Sequence, residues 1–259
     1  MAQWTVGSLV AGTAKPAPLG RPQPVALNRA AAGCPDHAAT GSPDQTAAGG
    51  HPNRFFIMPD TYQNFAELES KEREGEDWTR EYINRGSRIL IMAPHGGWIE
   101  PYTAELARAV AGNDLSLYTF QGLKRRGNEK LHLTSHRFDE PLAERATASA
   151  LWVLAIHGER SSDRSLVMVG GLWDSCREGL GEAFEKAGIM VEGPRQGLGG
   201  VNPRNICNRG QSGTGAQLEL SEGFRRALRK DPEELRRFVE LVREVLFLTE
   251  REMIPGGGL

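Results

Sequence analysis

From about Tyr62 onward the chain switches between short continuous apolar runs and apolar positions at helical spacing, the pattern of strands alternating with helices. Asn64 to Glu74 carries Phe65 and Leu68 among charges and predicts a short amphipathic helix. Ile89 to Met92 reads as a buried strand that runs into a loop, Ala93-Pro94-His95-Gly96-Gly97-Trp98-Ile99-Glu100. A helix over Pro101 to Ala111 follows, with Pro101 suited to a first-turn position. Leu115 to Phe120 predicts a second strand, and Lys130 to Phe138, alternating in polarity, a third. Ala143 to Ala150 is helix-like, Leu151 to Ile156 is a buried strand ending at His157-Gly158, and Ser165 to Gly170 is another strand. A helix over Cys176 to Ala187 closes on Gly188, and Ile189 to Val191 is short and extended. Residues 193–215 form a long loop dense in Gly, Pro, Asn and Arg, of the kind that is functional or disordered in compact domains. Ala216 to Leu220 is the last strand, and Asp231 opens a long amphipathic helix to about Glu250. The expected fold is α/β: a single domain over residues 58–250, with an open mixed or mostly parallel sheet flanked by helices.

Composition changes this picture mainly at the ends. Residues 1–57 are rich in Ala, Gly, Pro, Thr and Ser without a sustained period, so they read as a disordered or non-native N-terminal extension. In the second case Met58 is the start. Val6 to Ala14 is broken by Gly and Ser and lacks a basic flank, which does not make a secretory signal. The expected location is the cytoplasm, or release by lysis. Residues 251–259, with Pro255 before three glycines, are expected to be a flexible tail. A net charge of −2 with both signs interspersed excludes a nucleic-acid module carried by bulk charge. No apolar run approaches the ~18–20 residues of a membrane span, so neither nucleic acid nor membrane is an expected partner, and a monomer is expected. Cys34, Cys176 and Cys207 lack a CxxC spacing and suit a reduced compartment with two free structural thiols in the core.

The candidate chemistry lies at strand ends. Pro94, Gly96 and Gly97 keep the stretch after Met92 irregular, so His95 and Glu100 can fold back toward one point. His157 also follows an apolar run directly, and in open α/β sheets ligands gather beyond the carboxyl ends of strands. His95, Glu100 and His157 would give zinc two nitrogens and one oxygen, with a fourth position open; otherwise the histidines are ordinary loop residues bonded to backbone. In Gly215 to Ser221, Gln217, Glu219 and Ser221 share a face opposite Leu218 and Leu220. A carboxylate there is either a general base or the partner of Arg209 or Arg204. The loop Asn202 to Gly210 places Asn208 and Arg209 where they would hold a substrate carboxylate or an oxyanion, or would build a structural turn. His132 and His136 share a strand face and are open to metal, supporting or surface roles, and Lys124-Arg125-Arg126 is a basic cluster suited to an acidic substrate or to a solvated turn.

Taken together, MAPHGGWIEP, LHLTSHRFDEP, AIHG, NPRNICNRG and GAQLELS, in this order, resemble the phage-derived poly-γ-glutamate hydrolase family over about Tyr62 to Arg229. The resemblance implies a zinc amidohydrolase with a core similar to zinc carboxypeptidases, one zinc on His95, Glu100 and His157, and Glu219 as base. It also implies a polyanionic γ-glutamyl polymer or peptide as substrate. Read from the residues themselves, Asn208, Arg209, His132 and Trp98 are the candidate contacts. Other expectations from the residues are a zinc peptidase or amidase acting on cell-wall peptides or N-acyl amino acids, and a non-catalytic phage-related binding protein. Trp98 departs from the family, standing where a small residue is expected, and His136 departs as well.

Overall fold

The computed structural model describes residues 60–160, 163–195 and 197–253. The expectations for residues 1–57, for Cys34 and for the end of the tail lie outside these.

Each apolar run forms a strand covered on both faces, which is why it reads as continuous rather than alternating. The strands are β1 (Trp78–Ile83), β2 (Ile89–Gly97), β3 (Ser116–Gly122), β4 (Trp152–Glu159), β5 (Val167–Gly171), β6 (Val191–Glu192) and β7 (Ala216–Ser221). They make one open sheet in the order β1-β3-β2-β4-β7-β5-β6. The β3-β2-β4-β7 centre is parallel, while β1 and β5 run antiparallel to β3 and β7, so the sheet is mixed, as expected. On one face Ile89, Ile91, Leu154, Ile156, Leu218 and Leu220 pack under four helices: α2 (Thr103–Ala111), α4 (Asp174–Lys186), α5 (Glu222–Lys230) and α6 (Pro232–Met253). On the other, Leu90, Met92, Val153 and Ala155 pack under α1 (Phe65–Lys71), α3 (Pro141–Ser149) and irregular chain. Cys176 and Cys207 are free and buried, matching the expected core thiols, and burial pushes both thiols up, Cys207 to about 12. No helix of the described residues is long and apolar enough to cross a membrane.

Several details differ from expectation, among them α5, which the sequence pattern does not announce. β1 went unread because it is an edge strand with one buried and five half-buried positions, and Arg80 and Glu81 break its apolar signal. Lys130 to Phe138 is not a strand. It begins in a 3-10 helix, Asn128–Leu131, and continues as irregular chain. Its backbone groups are taken elsewhere, which leaves no ladder to form. Asp60 accepts from Thr134 N at 2.9 Å, Ser135 O accepts from Ile206 N, and Arg209 donates to His136 O and Phe138 O. The second helix starts at Thr103 rather than Pro101, because Tyr102 holds φ at +76° and cannot join it. At the C-terminal end, Asp231 caps α6 by accepting from Glu233 N, and α6 runs to Met253, three residues beyond the boundary set at 250.

β2 itself does more than end at Met92. Ala93 pairs with Thr119 and Gly96 with Gln121, so β2 spends three steps where β3 spends two. This is a β-bulge with one extra residue, and Pro94, which has no N–H to give a ladder, sits inside it. Simple alternation would send His95 to the face of Ile89, Ile91 and Ala93. The extra residue turns it to the opposite face, against Leu133, Phe138 and His157.

Candidate metal centre

Three adjacent central strands, β2, β4 and β7, deliver His95, His157 and Glu219 at their carboxyl ends. His157 and Glu219 are direct register partners across β4 and β7. Glu100 comes back to the same place because its N–H donates to His95 O at 2.8 Å, closing the turn. Its Oε2 accepts from Gly158 N at 2.8 Å, which fixes the carboxylate between the two histidine strands.

His95 Nε2 lies 2.8 Å from Leu133 O. A carbonyl can only accept, so Nε2 carries the hydrogen and Nδ1 presents its lone pair. That Nδ1 lies 3.2 Å from Glu100 Oε1 and 3.2 Å from His157 Nδ1, and His157 Nδ1 is 3.6 Å from Glu100 Oε2. Donors around a tetrahedral cation with bonds of ~2.0–2.1 Å sit about 3.3 Å apart, so the spacing and chemistry of this trio fit zinc. Burial alone would raise the Glu100 carboxyl, but the neighbouring imidazoles of His95 and His157 outweigh it and hold the group well below its usual range.

His132 stands beside this trio. Its ring lies over that of His95 at 4.1 Å between centroids, and its Nδ1 is 3.0 Å from Asp60 Oδ1. One donor atom from each of His95, Glu100 and His132 lies within 4.8 Å of the others, a looser set than the one with His157. Burial and the neighbouring His95 push the His132 imidazole toward neutrality, against the pull of Asp60. Asp60 escapes sequence reading because it lies 72 residues from His132.

Glu219 is 6% exposed, and among the described residues it has no ion-pair partner. Gln217 Nε2 donates to its Oε1 at 3.2 Å. Burial, then Glu100 and Glu159, push its carboxyl well above the usual range, partly offset by Arg225. The alternative of a salt bridge to Arg209 or Arg204 is thereby corrected. Arg209 donates to Arg204 O, Phe138 O and His136 O, so the guanidinium expected to grip a carboxylate or oxyanion clamps two loops together instead. Asn208, also expected to touch substrate, is 2% exposed and staples the long loop. Its Nδ2 donates to Gly200 O and Asn202 O, and its Oδ1 accepts from Gly215 N and Leu172 N. Asn208→Ala should cost about 2–4 kcal/mol of stability through groups left unsatisfied, read by urea denaturation. A loss below about 0.5 kcal/mol would contradict the staple. Trp98, by contrast, stands 63% exposed in the turn between His95 and Glu100.

Arg225, on α5, belongs to this centre although no pattern in the sequence singles it out. It is 4% exposed and donates through Nη1 to Glu159 O and Leu220 O. A Cβ on Gly158 would meet that Nη1 at 2.2 Å, so any larger residue at the position that holds Glu100 has to displace the buried guanidinium. Gly158→Ala should destabilise the fold by about 1–3 kcal/mol and weaken activity together, measured by thermal denaturation alongside turnover. An unshifted midpoint would show that Arg225 yields freely.

Comparison with known proteins bears on the whole arrangement. The family model for poly-gamma-glutamate hydrolase matches residues 62–239. The UPF0714 protein YmaC of Bacillus subtilis is 38% identical over 176 residues, covering 67% of this chain and 74% of YmaC. The UPF0714 protein YndL of the same organism is 38% identical over 174 residues, covering 65% and 67%. Among solved structures, a bacteriophage poly-gamma-glutamate hydrolase superposes with a TM-score of 0.70 at 32% identity, over 74% of this chain and 98% of that one. A zinc-free YndL structure gives 0.67 at 35% identity, over 73% and 98%. With its open mixed sheet and its match over residues 62–239, the chain belongs to the poly-gamma-glutamate hydrolase family.

Proposed function

We propose that the domain over residues 58–250 is a zinc-dependent hydrolase of amide bonds in poly-γ-glutamate or γ-glutamyl peptides. The observation that carries this is the convergence of His95 Nδ1, His157 Nδ1 and the Glu100 carboxylate, whose Oε1 lies 3.2 Å from the first nitrogen and Oε2 3.6 Å from the second, with Glu219 on the adjoining strand position. His95, Glu100 and His157 would hold one zinc, favoured over the looser set that includes His132. The ion would supply a Lewis acid that polarises an amide carbonyl and acidifies a water.

The chain's own residues do the rest. Leu133 O and Gly158 N fix the orientation of His95 and Glu100, so neither side chain reorganises when it binds a cation. Glu219 takes the proton from the attacking water and returns it to the leaving amine. Its raised affinity for protons suits a group that must both accept and donate near neutral pH. Gln217 steadies the carboxylate without neutralising it. The family of the relatives supports the γ-glutamyl substrate.

The deciding experiment loads the protein with zinc and follows the length of poly-γ-glutamate, with peptidoglycan peptides and N-acyl amino acids in parallel. Shortening of the polymer, its arrest by a chelator and its recovery with zinc are expected. A zinc-loaded protein that leaves the polymer intact refutes the proposal.

A further inference from the structure

The turn that bears Trp98 is stitched to a second loop. Trp98 N donates to Gly122 O at 3.0 Å, and Gly122 ends β3, next to β2. From there Leu123 to Gly127 leads into the 3-10 helix at Asn128. This loop is pinned at several points. Leu123 N donates to Asp77 O, Lys124 N to Asn128 Oδ1, and Asn128 Nδ2 back to Lys124 O. Lys124 Nζ is bonded to the largely buried Glu72.

The basic cluster read from sequence therefore divides. Lys124 is an anchor, committed to Glu72. Arg125 and Arg126 are both exposed, and no carboxylate pairs with either among the described residues. Several other surface arginines do have partners: Arg108 with Glu81, Arg226 with Glu222, Arg236 with Glu233 and Arg243 with Asp114. The same loop carries an exposed large apolar side chain, Leu123 at 40%, and the turn bonded to its start carries another, Trp98 at 63%. A strip that starts at the turn joining His95 to Glu100 thus passes over apolar surface and ends in unpaired positive charge.

We infer that Trp98, Leu123, Arg125 and Arg126 form a docking rail for the part of a γ-glutamyl chain that extends past the scissile amide; this rests on the proposed function. Each residue of such a chain carries a free carboxylate on a methylene stem. The stems suit Trp98 and Leu123, and each guanidinium offers a fork to a carboxylate. Because the loop is held by its backbone and by Lys124, little ordering is required when a chain is laid along it. A short substrate would fill the metal centre without reaching the arginines.

The test uses the full zinc-loaded chain and the double variant Arg125→Ala/Arg126→Ala. kcat/KM is measured on long poly-γ-glutamate and on a γ-glutamyl trimer. The polymer-to-trimer ratio should fall about two- to thirtyfold, the range two exposed ion pairs give, with the change in KM. Raising the salt should close the gap, since the Debye length shrinks from ~10 Å at 0.1 M to ~3 Å at 1 M. The Arg125→Lys/Arg126→Lys variant should recover most of the ratio. An unmoved ratio, or an equal loss on both substrates, overturns the rail while leaving the hydrolase reading intact. If the unaltered protein cleaves neither substrate, both readings fall.

Discussion

Glu219→Gln should lower turnover of poly-γ-glutamate by about 10²–10⁴-fold, the usual scale of a lost general base, while zinc content stays at the level of the parent. Glutamine keeps the size and the hydrogen bond with Gln217 but cannot take a proton. Glu219 lies outside the His95–Glu100–His157 set, so the metal need not leave with it. The same change should act in the opposite direction on stability. A carboxyl whose folded proton affinity is raised binds its proton more tightly folded than unfolded, so its contribution to stability is lost as pH climbs from the ordinary carboxylate range through the folded pKa. The metal-free Gln variant should therefore be more stable than the metal-free parent at neutral pH and match it in acid. Metal analysis, turnover and thermal denaturation at two pH values read all three. Full activity in the variant would remove Glu219 from the chemistry.

His95→Ala should abolish both zinc binding and activity. Its Nδ1 is the one atom within 3.2 Å of both other donors, so its loss leaves Glu100 and His157 3.6 Å apart with no third ligand. The damage spreads, because His95 also donates to Leu133 O and packs against Phe138 and His132. The clearest readout is the melting temperature with and without zinc. The parent should gain about 2.7 kcal/mol at zinc a hundredfold above its Kd, and the variant nothing. A variant that stays active without metal would end the zinc proposal.

The strands that build the centre were legible because each is an apolar run ending in chemistry: Ile89 to Met92 before His95, Leu151 to Ile156 before His157. The face of Glu219 was legible too, since period-two alternation with Leu218 and Leu220 fixes it. What sequence hid is what depends on distant partners. Asp60 orients His132 across 72 residues, and no pattern in the sequence singles out Arg225 until it is found behind Gly158. Arg209 and Asn208 could be read either way for the same reason. A polar side chain in a Gly-rich loop satisfies backbone as readily as substrate, and only their partners decide between the two.

The bulge in β2 has a consequence for how such a centre can change over time. His95 reaches its present face because one residue more than plain alternation allows lies between Ala93 and Gly96. Losing Ala93 or Pro94 would remove that extra residue and let plain alternation from Met92 keep the imidazole on the same face, whereas regular pairing of the full-length stretch would carry it to the far side of the sheet with every ligand still in the chain. The centre is thus tolerant of a deletion there yet brittle to an exchange that lets the bulge flatten, and Pro94, with no N–H for the ladder, guards against that.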